Sequence, residues 1–134
     1  MESEAAKSIA SYRDLRVFQR SYQPALEIHR ITQKFPIFEG RELGSQLRRA
    51  ATSIPTNIAE GYGRKRSADD FKRFLVIAMG SANEVSVELA LTKDLRVSQQ
   101  GNVRRASKPN AMRLGKVFTN SSRFGVDLFQ TSNF

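Results

Sequence analysis

The chain has 134 residues, and its 22 Lys and Arg against 13 Asp and Glu give a formal net charge of +9. This length provides one small domain, and the charge favours an acidic partner: nucleic acid, an anionic membrane surface or an acidic protein. With no cysteine and one histidine, His29, disulfides, Cys-based zinc sites and multi-His metal sites are excluded. No apolar run reaches the roughly 18 residues of a membrane span, and residues 1–10 lack the apolar stretch of a signal peptide, so we expect a cytoplasmic protein.

Residues 1–11 are predicted to form a flexible tail, and residues 12–125 a single domain. The first helix is predicted over about 12–35, with Ser11 as its cap and Pro36 as its stop. Pro24 lies inside it and predicts a kink. The apolar residues that recur at helical spacing are Leu15, Phe18, Tyr22, Leu26, Ile28, Ile31 and Phe35.

The second helix is predicted over about 41–62. Its buried stripe consists of Leu43, Leu47, Ala50, Ile54 and Ile58. Pro55 interrupts the stripe and frees the carbonyl of Ala51, for which the Thr52 or Ser53 hydroxyl could compensate. Gly61 and Gly63 are predicted to end the helix.

The third helix is predicted over about 67–95, where Ser67 and Asp70 form a capping pair. One apolar stripe alternates steps of four and three, and comprises Phe71, Leu75, Ala78, Ala82, Val85, Leu89 and Thr92. A second stripe on a neighbouring face comprises Phe74, Ile77, Ser81 and Leu91. Two apolar faces are compatible with a helix central in its own bundle or with one face packed against another subunit.

Beyond Leu95 the helical period is lost. A weak helical pattern returns over about 110–125, through Leu114, Val117, Phe118, Ser121 and Phe124, and residues 126–134 are predicted to be a loose tail. One hypothesis is that the encoded reading frame is shifted over residues 96–134, and the nucleotide sequence across codons 93–134 tests it.

Seven basic residues are close in sequence and could line one end of the bundle. They are Arg48, Arg49, Arg64, Lys65, Arg66, Lys72 and Arg73. They suggest a surface that contacts phosphates without reading bases. The alternative is a solvated face whose charges pair with Glu60, Asp69 and Asp70. Tyr62 is the one ring nearby in the sequence, which is weak support for base stacking.

No catalytic, cofactor-binding or metal-binding residues are predicted. Ser53 and Thr56 lack an implied base, and His29 is expected to be a partly buried packing residue on the first helix. Asn57 and Glu60 are expected to satisfy backbone groups freed by Pro55 or to hold a loop across the bundle. Glu84 and Glu88 have the i, i+4 spacing of di-iron carboxylates but lack the Glu-x-x-His partners, so solvated or interface-paired carboxylates are expected.

Four segments of the chain resemble a known family. They are YRDLRVFQRSY at 12–22, ITQKFP at 31–36, SQLRRAATSIPTNIAEGYGR at 45–64 and DDFKRFLVIAMGSANEVSVEL at 69–89. They are similar to the four-helix bundle proteins encoded by intervening sequences in bacterial 23S ribosomal RNA genes, and by extension to accessory proteins of diversity-generating retroelements. The resemblance implies an all-α, antiparallel up-down four-helix bundle that assembles into a ring, typically a pentamer, without established enzymatic activity.

In that family a Gly-Tyr-Leu turn and an acidic fourth helix follow the position of Leu95, whereas this chain continues with Arg96, Val97 and Ser98. The fourth helix is therefore the least defined part of the predicted bundle. The first functional hypothesis is a non-enzymatic ring that binds RNA or DNA through its Arg and Lys clusters. The alternative is a protein-interaction scaffold that docks an acidic or nucleic-acid-handling partner.

Overall fold

The computed structural model describes residues 8–97. Within that range the regular elements are all helical: a 3₁₀ turn at Tyr12–Asp14, then α1 (Arg16–Thr32), α2 (Ile37–Arg41), α3 (Leu43–Gly63) and α4 (Ala68–Asp94). The expectation of an all-α helical bundle is confirmed. The predicted fourth helix at 110–125, the tail at 126–134, the proposed frame change and most of the N-terminal tail lie outside the described residues.

The first helix begins later and ends earlier than its periodicity predicts. The Ser11–Asp14 pair forms a complete capping box, but it caps the 3₁₀ turn rather than α1. Leu15 then has extended backbone angles, so α1 begins at Arg16. At the other end the Phe35 N–H donates to the Thr32 carbonyl three residues back, which tightens the last turn ahead of Pro36.

A short helix that the sequence pattern did not indicate precedes α3. Pro36 occupies the N-cap of α2, where its fixed φ favours a helical start. Glu42, with φ −86° and ψ −88°, separates α2 from α3. The second predicted helix therefore begins at Leu43 rather than Arg41, and residues 37–41 form an element of their own.

Both internal prolines lie within continuous helices. α1 runs through Pro24 and α3 runs through Pro55. The carbonyl that Pro55 deprives of its helical donor is that of Ala51. The Asn57 amide donates instead to the Ser53 carbonyl at 2.8 Å, so the expectation that it would compensate for Pro55 is wrong.

The core forms because α3 packs against α1 on one side and α4 on the other. Only four residues, 64–67, connect α3 to α4, so these neighbours are antiparallel. The stripes predicted for the second and third helices supply most of the core. Its fully buried apolar side chains include Leu47, Ala51, Ile54, Ile58, Ala78, Ala82 and Val85.

A glycine allows the close approach of α3 and α4. A Cβ at Gly61 would lie 2.8 Å from Phe74 Cβ and 3.1 Å from Phe71 Cδ2. Gly61 is buried within α3, which continues to Gly63. The prediction that the two glycines end the helix is therefore correct for Gly63 and wrong for Gly61, which instead leaves room for aromatic side chains of α4.

The two apolar stripes of α4 have different surroundings. The first is buried from Ala78 to Thr92, whereas Ile77 and Leu91 of the second are exposed. Val76 and Val87, each about 60% exposed, extend the apolar surface further around the helix. α4 thus uses one face for the core and presents a second apolar face along most of its length.

By length and composition alone, α4 is also apolar enough to cross a membrane, and it is the one helix among the described residues that meets this criterion. A core helix of a water-soluble bundle passes the same test. Because Ala82, Val85 and Leu89 are buried against the rest of the bundle, packing within the protein explains the apolar residues on the core face of this helix.

Candidate functional site

Five of the seven predicted basic residues meet at one end of the α3–α4 pair. Arg64, Lys65 and Arg66 form the connection that follows α3, and Lys72 and Arg73 lie in the first two turns of α4. All five are exposed. They are brought together because the helix–loop–helix turn spans only residues 64–67.

Neighbouring acids neutralise this cluster only in part. Arg64 pairs with Glu60 at 2.9 Å, and Arg73 pairs more loosely with Asp70 at 3.8 Å. Lys65, Arg66 and Lys72 make no ion pair among residues 8–97. Because exposed ion pairs contribute only about 0–1 kcal/mol, an incoming phosphate could replace either one at little cost.

Aromatic rings hold part of the cluster in place. The Arg64 and Arg73 guanidinium carbons each lie 5.3 Å from the centre of the Phe74 ring. The Lys65 ammonium lies 3.9 Å from the centre of the Tyr62 ring. These distances are typical of cation–π contacts, which orient the cation and leave its positive charge available to a phosphate.

The remaining two predicted residues lie elsewhere. Arg48 is about 24 Å from Arg64 along α3, by the rise of a helix over 16 residues. Its guanidinium is half-buried and donates to the Gly40 carbonyl at 3.1 Å. Arg49 is exposed, and its charge acts on Glu88 of α4. The seven cations therefore form one cluster of five and two separate positions, not a single patch.

A groove runs between α3 and the segment formed by the 3₁₀ turn and α1. Its volume is about 810 Å³. One wall carries aromatic and apolar side chains, and the other carries the exposed face of α3. The lining includes Tyr12, Phe18, Tyr22, Leu26, His29, Thr52, Pro55, Thr56, Ala59, Glu60 and Arg64.

The aromatic wall of this groove is a chain of three rings. Tyr12 meets Phe18 edge to face at 4.8 Å, and Phe18 stacks on Tyr22 at 5.6 Å with an interplanar angle of 26°. Phe18 is buried, whereas Tyr22 is 44% exposed. The helical spacing grouped Tyr22 with the apolar residues of the first helix, and the structure places it, partly exposed, at the groove. The prediction that Tyr62 is the one ring near the basic cluster is wrong, because Phe74 contacts both Arg64 and Arg73. It also missed the aromatic wall, because Tyr12 and Tyr22 are remote from the cluster in sequence.

The single histidine lies in the groove and connects two helices. His29 Nε2 lies 3.0 Å from Thr52 Oγ1, a hydrogen bond between α1 and α3. A hydroxyl beside an imidazole is the minimal pair for nucleophilic catalysis, but such a site also needs a group that orients the base and donors for the developing oxyanion. Among residues 8–97 no such partner of His29 is found, so the geometry supports a helix-linking role.

The polar cluster predicted around Asn57 divides into two parts. Asn57 donates to Ser53 Oγ at 2.9 Å, and Ser53 Oγ in turn lies 2.8 Å from Ser81 Oγ across the α3–α4 interface. Glu60 points away from this network and pairs with Arg64. The network joins two helices, and it includes no general base within the part of the chain that the structure describes.

Glu88 is the most perturbed titratable group in the described residues. It is only 5% exposed, and its Oε2 has no hydrogen-bond partner among them. Its pKa is raised to about 7, chiefly by burial and secondly by the nearby charge of Glu84, while Arg49 opposes the shift. The expectation of a solvated carboxylate is therefore wrong for Glu88, whereas Glu84 is exposed. Among residues 8–97 no cluster of three or more His, Asp or Glu side chains could hold a metal ion.

Comparison with known proteins identifies the family. The family model of the 23S rRNA-intervening sequence protein matches residues 13–118, well over half of the chain. The chain belongs to this family. The match extends past Leu95, so it includes part of the segment in which the helical period is lost. No curated protein sequence matches the chain at a significant level.

The family match confirms the resemblance seen in the sequence motifs. Most of the conspicuous run at 45–64 forms α3, the helix that contributes to both interfaces. Neither the family description nor the described residues assign a substrate, a cofactor or a reaction.

Proposed function

We propose that this 23S rRNA-intervening sequence protein is a non-enzymatic, cytoplasmic helical bundle that binds RNA or DNA through its basic residues. The observation that carries the proposal is the exposed cluster of five cations around the α3–α4 connection, three of which lack an ion pair among residues 8–97. Cations that converge from a loop and a helix start are suited to phosphates, which attract them without regard to base sequence.

We further propose that the protein assembles into a ring, most simply a pentamer. The apolar side chains exposed on α4, which include Val76, Ile77, Val87 and Leu91, support assembly, because large exposed apolar patches mark interaction sites. In a ring each basic cluster would be repeated around the axis, so the field at one end would exceed that of one chain. Sedimentation at micromolar concentration tests this part, and a monomer would contradict it.

Salt dependence of binding tests the nucleic-acid proposal directly. The wild-type protein should bind a labelled oligonucleotide, and the logarithm of the affinity should fall linearly with that of salt concentration because phosphate contacts release counterions. Replacing Arg64, Lys65 and Arg66 together by Gln should reduce the magnitude of that slope by about two to three. A wild-type affinity that is absent at physiological salt, or independent of salt, would refute the proposal.

A matched control variant distinguishes the effect of the basic cluster on binding from the effect of net charge. Replacing Arg30, Arg41 and Lys93 by Gln removes the same charge from exposed positions away from the connection, and like the first set it includes one cation with an ion pair. This variant should keep most of the wild-type slope. Equal losses in the two variants would mean that net charge, and not the cluster, controls binding.

The second candidate function is a protein-interaction scaffold, which the exposed apolar face of α4 also favours. It differs from the first in needing no nucleic acid. A partner that remains bound after nuclease treatment, together with a wild-type protein that binds no oligonucleotide, would favour the scaffold over the nucleic-acid binder.

A further inference from the structure

We infer that the groove between α1 and α3 is a base-stacking site for single-stranded nucleic acid, with Tyr22 as its principal platform. The inference rests on the proposed function and specifies the form of nucleic acid that is bound. The basic cluster accounts for affinity to any polyanion, whereas the groove adds a preference for strands whose bases are unpaired and free to stack.

The Tyr22 ring is both accessible from the groove and held in place by Phe18. Phe18 stacks on the ring at 5.6 Å and is itself buried, so it fixes the orientation of Tyr22. The ring nevertheless remains 44% exposed and lines the groove. A rigidly held, partly exposed aromatic side chain offers a face to a base at low cost in conformational entropy.

The groove lies next to cations that could hold the backbone of a bound strand. Its α3 wall runs from Thr52 to Arg64, and Arg64 belongs to the basic cluster. Arg13 lies at the aromatic end, with its guanidinium carbon 5.3 Å from the centre of the Tyr12 ring. A strand whose backbone follows these arginines could place a base against the aromatic wall, which is the arrangement that single-strand binding requires.

Few polar groups line the groove. Glu60 is the acid among the lining residues, and the Arg64 side chain pairs with it at 2.9 Å. The His29–Thr52 pair and the Thr56 hydroxyl add polar groups to the lining. The lining is therefore mainly apolar with a few polar positions, which suits the flat apolar faces and polar edges of bases rather than a phosphate group alone.

The experiment compares two substitutions of one residue on two forms of DNA. Binding of a labelled twelve-nucleotide oligothymidylate and of a twelve-base-pair duplex is measured by fluorescence anisotropy for the wild type, Tyr22→Leu and Tyr22→Phe. Leu removes the ring but keeps an apolar side chain, whereas Phe keeps the ring. Circular dichroism establishes that each variant retains its helical content.

Wild type should bind the single strand more tightly than the duplex. Tyr22→Leu should lose about fivefold or more in single-strand affinity, the lower end of stacking on one base, and change little on the duplex. Tyr22→Phe should remain close to wild type. Equal single-strand affinity for the wild type and Tyr22→Leu, or an equal loss in Tyr22→Leu and Tyr22→Phe, would overturn the inference.

The outcomes distinguish this inference from the function on which it rests. If the wild type binds neither oligonucleotide, the proposed function fails and the inference fails with it. If the wild type binds both and only the substitutions of the basic cluster weaken binding, the proposed function stands and the stacking site is wrong. Photocrosslinking of a 5-bromouracil oligonucleotide gives a second readout: attachment at Tyr12 or Tyr22 supports the site, and attachment only outside the groove contradicts it.

Discussion

The two sides of α3 form interfaces of opposite character. Towards α4 the contact is close, because Gly61 faces Phe71 and Phe74 and a serine pair joins the helices. Towards α1 the exposed part of the helix is separated from a wall of rings by a groove of about 810 Å³. One helix thus supplies both a close helix–helix contact and one wall of the groove.

This difference assigns separate roles to the residues of the two interfaces: small residues between α3 and α4 contribute to stability, and a large ring at the groove contributes to binding. Small side chains at Gly61, Ser53 and Ser81 allow α3 and α4 to approach, so that substitution there should act on folding. On the other side the Tyr22 ring stacks on Phe18 and remains partly exposed at the groove. Substitution of Tyr22 should act mainly on ligand affinity, and the predictions below test this division.

The largest effect is expected from closing the space at Gly61. Gly61→Ala should lower the free energy of unfolding by about 1–3 kcal/mol, because the new Cβ would lie 2.8 Å from Phe74 Cβ. Gly63→Ala is the matched control, since a Cβ there meets nothing within 4 Å; it should be neutral or stabilise the helix slightly. Chemical denaturation measures both, and equal stabilities would contradict the close contact.

The next effect is a pH dependence that originates at Glu88. Its folded-state pKa, about 7, lies above the ordinary 4.5, so the folded protein binds the proton more tightly than the unfolded chain. Stability contributed by this group is therefore present below pH 4.5 and is lost as pH rises through about 7. Glu88→Gln should raise the free energy of unfolding by about 2 kcal/mol at pH 8 and change it little at pH 4.

Glu84→Gln is the control for this pH dependence, because Glu84 is exposed and only adds to the shift of its neighbour. It should lower the pKa of Glu88 slightly and leave most of the pH dependence in place. Denaturation curves from pH 4 to 8 that coincide for wild type and Glu88→Gln would show that burial of this carboxyl has no such consequence.

The smallest effect is expected from the serine pair between α3 and α4. Ser81→Ala should cost about 1 kcal/mol, the net contribution of one hydrogen bond, and Ser53 would keep its bond from Asn57. The Ser53→Ala and Ser81→Ala double-mutant cycle should give a coupling of about 0.5–1 kcal/mol. Strictly additive effects would mean that the hydroxyl contact does not stabilise the interface.

The sequence was most informative where periodicity and capping act together. The first stripe of α4 is buried from Ala78 to Thr92 as predicted, and the Ser67 side chain accepts from the Asp70 N–H at 3.2 Å as a cap. Both features are local: a step of four or three residues fixes a helix face, and a hydroxyl beside a helix start satisfies free N–H groups.

Features that depend on distance between helices could not be predicted in the same way. Tyr22 follows Phe18 at a helical step, but periodicity gives the direction of a side chain and not the depth of its burial. The role of Gly61 depends on Phe74 from another helix, so its sequence position near the helix end suggested termination instead. Likewise, the groove joins Tyr22 and Arg64, which are 42 residues apart in the chain.

Thermal unfolding with and without a saturating single-stranded oligonucleotide tests most directly whether the α3–α4 interface controls stability and the groove controls binding. A ligand that binds only the folded protein raises the midpoint by an amount set by its affinity. Gly61→Ala should unfold at lower temperature than the wild type but keep the oligonucleotide-induced rise. Tyr22→Leu should unfold near the wild-type temperature and lose most of that rise. A full rise in Tyr22→Leu would contradict the account.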